Sequence, residues 1–107
     1  MGKKLMELEF IEGQPDLMFD CPGCGIGHGV WTKSKHHYNG AKWSFNGDME
    51  KPTFSPSLLV RFPQDGKEMV CHSFVRDGKI QFLNDCTHDL AGKTVDLPDA
   101  DRLDDFK

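Results

Sequence analysis

Short stretches of alternating apolar and polar residues dominate the chain. Residues 69–75 (MVCHSFV) and 79–83 (KIQFL) flank Arg76-Asp77-Gly78, which predicts a β-hairpin with a type I turn and Gly78 in a left-handed bulge position. The apolar run LLVRF, residues 58–62, predicts the preceding strand. No segment carries a sustained helical period.

The other segments predict further short strands and irregular loops. An opening hairpin is expected from residues 5–11 and 16–20, and later strands from 30–33, 41–45 and 94–97. Residues 46–57 contain two prolines and predict an ordered irregular loop, 85–92 can hold one helical turn, and 99–107 form a short helix or fray. We therefore predict one mainly β domain over residues 1–107, a small antiparallel sheet and hairpin fold with a zinc knuckle and at most one or two short helices.

Charge and composition narrow the function classes. The 107 residues carry 13 basic and 17 acidic side chains, a formal charge of −4, and the acids gather near the C-terminus, which argues against non-specific nucleic-acid binding. The start of the chain has no apolar signal-peptide core, and no apolar run is long enough to cross a bilayer. We expect a cytoplasmic protein whose partner or substrate is another protein.

Four cysteines in a reducing compartment favour a metal site over disulfides. Cys21-Pro22-Gly23-Cys24-Gly25 is typical of a zinc knuckle, because the tight turn lets both thiolates converge on one ion while the glycines leave room for the backbone. Tetrahedral Zn²⁺ then needs two more ligands from later in the chain. The candidates are His28, Cys71, His72, Cys86 and His88.

Strand geometry separates Cys71 from His72. Successive side chains on a strand point to opposite faces, so only one of the two can reach the ion. Cys71 is assigned to the zinc because a thiolate matches the knuckle ligands, and His88 is narrowly favoured over Cys86 as the fourth ligand. A three-residue turn would place His72 on the face of Phe74, Ile80 and Phe82, whereas a two-residue turn would reverse this.

A histidine that is free of the metal can act as general base to a serine hydroxyl. The candidate hydroxyls are those of Ser73, next to His72 in the sequence, and of Ser55 and Ser57, in the loop before the preceding strand. Asp85 or Asp48 can orient the imidazole. A second route is a zinc with an open coordination position and Glu50 or Asp85 as base, but thiolate-rich sites are usually closed.

The chain resembles a known family through CPGCG, WSFNGDMEKPTFSPSLLV and CHSFVRDGKIQFLNDCTHDLAGKTVDLP. These stretches, within residues 19–98, are similar to small zinc-knuckle proteins of phages and bacteria, some of which carry the label ammonia monooxygenase. More distant members lie in bacterial operons for ubiquitin-like conjugation, where the family is thought to supply a peptidase. The resemblance matches Pro56-Ser57 and His72 to family positions, and the frequent Ser at position 86 of nearer relatives further favours His88 as the ligand.

Two functions follow from these expectations. The first is a hydrolase, a peptidase acting on ubiquitin-like conjugates, with Ser57 as nucleophile, His72 as base, Asp85 as orienting carboxylate and a structural zinc on Cys21, Cys24, Cys71 and His88. The second is a non-enzymatic, zinc-stabilised interaction module of a phage, in which exposed loops bind a host or defence-system protein and the acidic tail suits a basic partner.

Overall fold

The computed structural model describes residues 3–100 and contains nine short β-strands in three antiparallel sheets. The strands are β1 (Met6–Glu7), β2 (Leu17–Asp20), β3 (Gly27–Val30), β4 (Ser44–Phe45), β5 (Phe54–Ser55), β6 (Leu58–Gln64), β7 (Lys67–Arg76), β8 (Lys79–Phe82) and β9 (Thr94–Asp96). Within residues 3–100 there is no helix, so none is long and apolar enough to cross a membrane. The prediction of a mainly β, antiparallel fold is confirmed.

The largest sheet has the strand order β6-β7-β8-β9 and is built around the ten-residue strand β7. A second sheet, β1-β2-β3, contains the cysteine turn between its second and third strands, and β4 pairs with β5 in a third. The predicted opening hairpin, the β6–β7–β8 meander and the last strand near residues 94–97 are all present. One hydrophobic core joins the first and the largest sheets. Its buried side chains include Phe19, Val30, Leu58, Ile80 and Phe82.

The turn between β7 and β8 contains two residues. Arg76 pairs with Lys79, and both Asp77 (φ +50°) and Gly78 (φ +76°) adopt left-handed conformations, as in a type I′ turn. The predicted three-residue type I turn with a bulge is therefore wrong. Left-handed φ at two successive positions matches the right-handed twist of the paired strands, which is why Asp-Gly suits this connection.

This register decides what each face of β7 contacts. Ser73 pairs with Phe82 and Val75 with Ile80, and these side chains are buried on the face that also holds Cys71. His72 lies on the opposite, partly exposed face with Phe74. The expected separation of Cys71 from His72 holds, but the expectation that His72 shares a face with Ile80 and Phe82 is wrong.

Three other local predictions need correction. The strand expected over residues 30–33 runs instead over Gly27–Val30, and the predicted loop 46–57 contains β5, which pairs with β4. Residues 83–92 form successive four-residue turns rather than a helical turn, with hydrogen bonds from Cys86 N–H to Leu83 O and from Ala91 N–H to His88 O. Of the predicted tail 99–107, residues 101–107 lie outside the described part.

Candidate active site and metal centre

Four potential metal ligands meet beneath the largest sheet. The sulfurs of Cys21, Cys24 and Cys71 and one imidazole nitrogen of His88 all lie within 4.8 Å of one another. Cys21 and Cys24 belong to the turn after β2, Cys71 lies in the middle of β7, and His88 lies in the segment after β8. This is the ligand set expected from the sequence, and these four side chains can bind a metal ion.

The cysteine turn has the backbone geometry of a knuckle. Gly25 N–H donates to Cys21 O (2.8 Å), Cys24 N–H points at Cys21 Sγ (3.4 Å), and Cys21 N–H donates to Ile26 O (2.9 Å). Gly25 closes the turn at φ +73°, which a residue with a side chain adopts only at a cost. The turn therefore aims both sulfurs inward, toward Cys71.

Three observations fit this cluster to a tetrahedral ion. Cys21 Sγ and Cys71 Sγ are 3.8 Å apart, and a tetrahedron with Zn–S bonds of about 2.3 Å has an edge of about 3.8 Å. His88 Nε2 is buried without a hydrogen-bond partner among the described residues, a costly arrangement for a polar atom. Gly23 lies so close to the His88 ring that an added Cβ would be 2.3 Å from Cε1.

The thiols of the cluster influence one another's ionisation strongly. The pKa of Cys21 is lowered to about 4, mainly by the hydrogen bond from the Cys71 thiol and further by His28. Burial and the negative charge at Cys21 raise the pKa of Cys24 to about 12, and the same hydrogen bond and burial raise the pKa of Cys71 above its usual value. Cys24 and Cys71 therefore favour the thiol form, and all three sulfurs could be thiolates together only beside a cation such as a divalent metal ion.

The two competing ligand candidates lie elsewhere. Cys86 Sγ accepts a hydrogen bond from His72 N–H and donates one to His72 O, both at 3.2 Å. His28 is buried in β3 with its ring edge-on to Phe19 at 5.5 Å, and its Nε2 has no hydrogen-bond partner among residues 3–100. Neither side chain belongs to the four-residue group, although His28 is near enough to Cys21 to affect its pKa.

A Ser–His–Asp row occupies the opposite face of β7. Ser57 Oγ is 3.2 Å from His72 Nε2, and His72 Nδ1 is 3.1 Å from Asp85 Oδ2. The His72 side chain is 26% exposed and that of Asp85 is 55% exposed, so the row is open to solvent from one side. The structure thus brings together all three residues that the sequence analysis singled out.

Neighbouring segments hold the row in place. Ser57 directly precedes β6, and its carbonyl accepts a hydrogen bond from Trp43 Nε1–H (3.2 Å). The segment after β8 continues along β7, with hydrogen bonds from Leu83 N–H to His72 O (2.9 Å) and from Thr87 N–H to Val70 O (3.0 Å). Asp85, between these two contacts, is thereby placed beside His72.

The other candidates of the sequence analysis are placed differently. Ser73 is buried on the core face, and Ser55 pairs with Ser44 in the third sheet. Asp48 accepts hydrogen bonds from the backbone N–H groups of Lys51 and Glu50, which lower its pKa. Neither Asp48 nor Glu50 belongs to the group of four potential metal ligands. The sequence carries no local signal for the role of Trp43 or for that of Cys86 beneath His72, because both depend on long-range contacts.

Chemically, the row has the order of groups found in serine hydrolases. An imidazole within hydrogen-bond reach of a hydroxyl can take its proton, and a carboxylate on the other ring nitrogen holds the imidazole in the required tautomer. Comparison with known families gives a result that agrees with this arrangement. Residues 4–83 match the family model of the bacterial ubiquitination-like system serine proteases (BubE).

The chain belongs to the BubE family. The match includes Cys21, Cys24, Ser57, Cys71 and His72, and it ends two residues before Asp85. Asp85 and His88 lie beyond the matched residues, so the family match does not bear on their roles. No curated protein and no solved structure matches the chain significantly.

Proposed function

We propose that this BubE-family protein is a serine protease in which Ser57 is the nucleophile, His72 the general base and Asp85 the orienting carboxylate. The observation that carries the proposal is the continuous contact from Ser57 Oγ to His72 Nε2 and from His72 Nδ1 to Asp85 Oδ2. In this proposal the substrate is a ubiquitin-like protein or its conjugate, in keeping with the ubiquitination-like systems named in the family description.

The proposed reaction proceeds through an acyl-enzyme. His72 Nε2 accepts the Ser57 hydroxyl proton as Oγ attacks the substrate carbonyl, and Asp85 stabilises the imidazolium through Nδ1–H. The same Nε2 then delivers the proton to the leaving amine as the carbonyl–nitrogen bond breaks. Water, deprotonated by His72, releases the acyl group and restores the serine.

We further propose that Cys21, Cys24, Cys71 and His88 hold Zn²⁺ in a structural site. Three sulfurs and one imidazole nitrogen would fill all four positions around a tetrahedral ion, which is typical of closed structural sites. When bound, the ion would join the cysteine turn, β7 and the segment after β8. His72 follows the ligand Cys71 directly and Asp85 lies three residues before the ligand His88, so the same link fixes both ends of the His72–Asp85 contact.

The test compares two neighbouring serines. Cleavage of a ubiquitin-like protein bearing a C-terminal extension is followed by intact mass, with zinc measured in every preparation. Ser57→Ala and His72→Ala should abolish cleavage at unchanged zinc content, whereas the matched control Ser55→Ala should retain it. Full cleavage by Ser57→Ala would refute the nucleophile, whereas no cleavage by the zinc-loaded wild-type protein would favour the non-enzymatic interaction module. The phage relationship and the cytoplasmic location remain predictions of the sequence.

A further inference from the structure

A groove of about 480 Å³ lies between two strands that belong to different sheets. Its walls include residues 26–29, at β3, and residues 58–62, in β6. Among residues 3–100, β3 pairs only with β2 and β6 pairs only with β7, so each is an edge strand of its sheet. Unpaired strand edges are the sites at which extended peptides add to a sheet.

The groove leads to the proposed nucleophile. Leu58 lines the groove as the first residue of β6, and Ser57 precedes it in the chain. Trp43 also lines the groove and donates its Nε1–H to Ser57 O at 3.2 Å. One end of the groove therefore adjoins the Ser57 backbone.

We propose that this groove binds the acyl side of the substrate, as an extended segment added antiparallel to β6. The inference rests on the proposed function, because it names the substrate segment that Ser57 would cleave. β6 runs away from Ser57, so an antiparallel segment runs toward it and presents its carbonyl end to the nucleophile. The five groove-lining residues of β6 span about 17 Å and match about five substrate residues.

The lining side chains define the segment's chemistry. Two tryptophans, Trp31 and Trp43, and the half-exposed side chains of Ile26 and Leu59 give the groove an apolar wall. Arg61 is exposed and lies four positions from Ser57 along the chain. The groove thus fits an extended apolar or small-residue segment with an acidic residue four or five positions before the scissile bond.

Kinetics on peptidyl coumarin amides test this assignment. For the wild-type protein, kcat/KM should rise at least about tenfold when the acyl peptide grows from one residue to five, and an acidic residue at the fourth or fifth position should be preferred over lysine. Arg61→Glu should reverse that charge preference. Lys93→Glu, the same charge change at an exposed position outside the groove, should alter nothing. Equal rates for all lengths, or an unchanged charge preference in Arg61→Glu, would overturn the proposal.

A binding measurement decides the groove separately from catalysis. Amide shifts of ¹⁵N-labelled Ser57→Ala protein are recorded with the five-residue peptides, comparing residues 58–62 with β9, the other edge of the same sheet. Shifts at 58–62 but not at β9 support the groove even if the wild type cleaves no peptide, in which case the proposed protease function alone fails. Shifts at neither edge would overturn the groove assignment. So would a dimer in sedimentation that Arg61→Glu abolishes, because the strand edges would then bind a second copy of the chain.

Discussion

Substituting Gly23 with alanine should remove His88 from the metal centre. A Cβ at Gly23 would lie 2.3 Å from His88 Cε1 and 2.5 Å from Nε2, whereas real Cβ contacts essentially never fall below 3.0 Å. The ring must therefore move by at least 3.0 − 2.3 = 0.7 Å. Metal–ligand distances tolerate only about 0.2 Å, so coordination by His88 cannot survive this shift.

The expected loss can be bounded from the ligand's place in the site. Disturbing a residue that only supports a ligand costs about 10–100-fold in metal affinity, and Gly23→Ala displaces a ligand itself. The edge-on contact of the His88 ring with Phe82, at 4.4 Å between centroids, restricts where the ring can go. Zinc affinity should therefore fall at least about 100-fold, which corresponds to about 2.8 kcal/mol.

Competition with a chromophoric chelator measures the affinity, and the visible spectrum of the Co²⁺-loaded protein reports the ligand set. A double-mutant cycle supplies the control, because His88→Ala removes the ring that the new methyl group would strike. In the His88→Ala background, Gly23→Ala should have almost no further effect. Wild-type zinc affinity in Gly23→Ala would show that the added methyl group does not displace His88. An equal loss with and without His88→Ala would show that Gly23→Ala acts through some other residue.

Three further substitutions test other parts of the structure. Cys86→Ala should lower kcat while zinc content stays unchanged, because it leaves the His72 N–H without its thiol acceptor, at a cost of about 1–3 kcal/mol; an unaltered kcat would contradict this role. Asp85→Asn should lower kcat by up to about 10⁴-fold with folding intact, and wild-type turnover would exclude Asp85 as the orienting group. Asp16→Asn should destabilise the fold by about 2 kcal/mol at pH 7, as measured by urea unfolding. Burial alone would raise the Asp16 pKa, but the hydrogen bonds from Thr32 and from the backbone of Lys33 outweigh it and lower the pKa. Since this stabilisation is lost as pH falls through the lowered pKa, the difference from wild type should shrink below about pH 4, and a constant difference would contradict it.

The sequence predicted the elements whose pattern is local. The alternation in β6, β7 and β8 is strong enough to place those strands within a few residues. β3, with the sequence GHGV, was missed because glycine has low strand propensity, and this segment is extended because the cysteine turn brings it beside β2. The hairpin turn was misassigned although Asp-Gly is itself a strong signal for a type I′ turn.

Those parts of the candidate site that depend on side-chain alternation along a strand and on ligand chemistry could be predicted from the sequence. Opposite faces of one strand separated Cys71 from His72, whichever turn followed. The sequence favoured His88 over Cys86 only narrowly, because the positions of both side chains depend on how the turns after β8 lie along β7. The groove beside Ser57 had no sequence signal, because its two walls come from strands in different sheets.

The most direct test of the central claim, a zinc-braced serine nucleophile, is covalent labelling of the zinc-loaded protein with a fluorophosphonate probe, read out by intact mass and peptide mapping. We expect one probe per chain, attached at Ser57, and loss of labelling in His72→Ala and after zinc is removed by a chelator. A zinc-loaded wild-type protein that takes up no probe, or takes it up at another residue, would exclude Ser57 as a zinc-supported nucleophile.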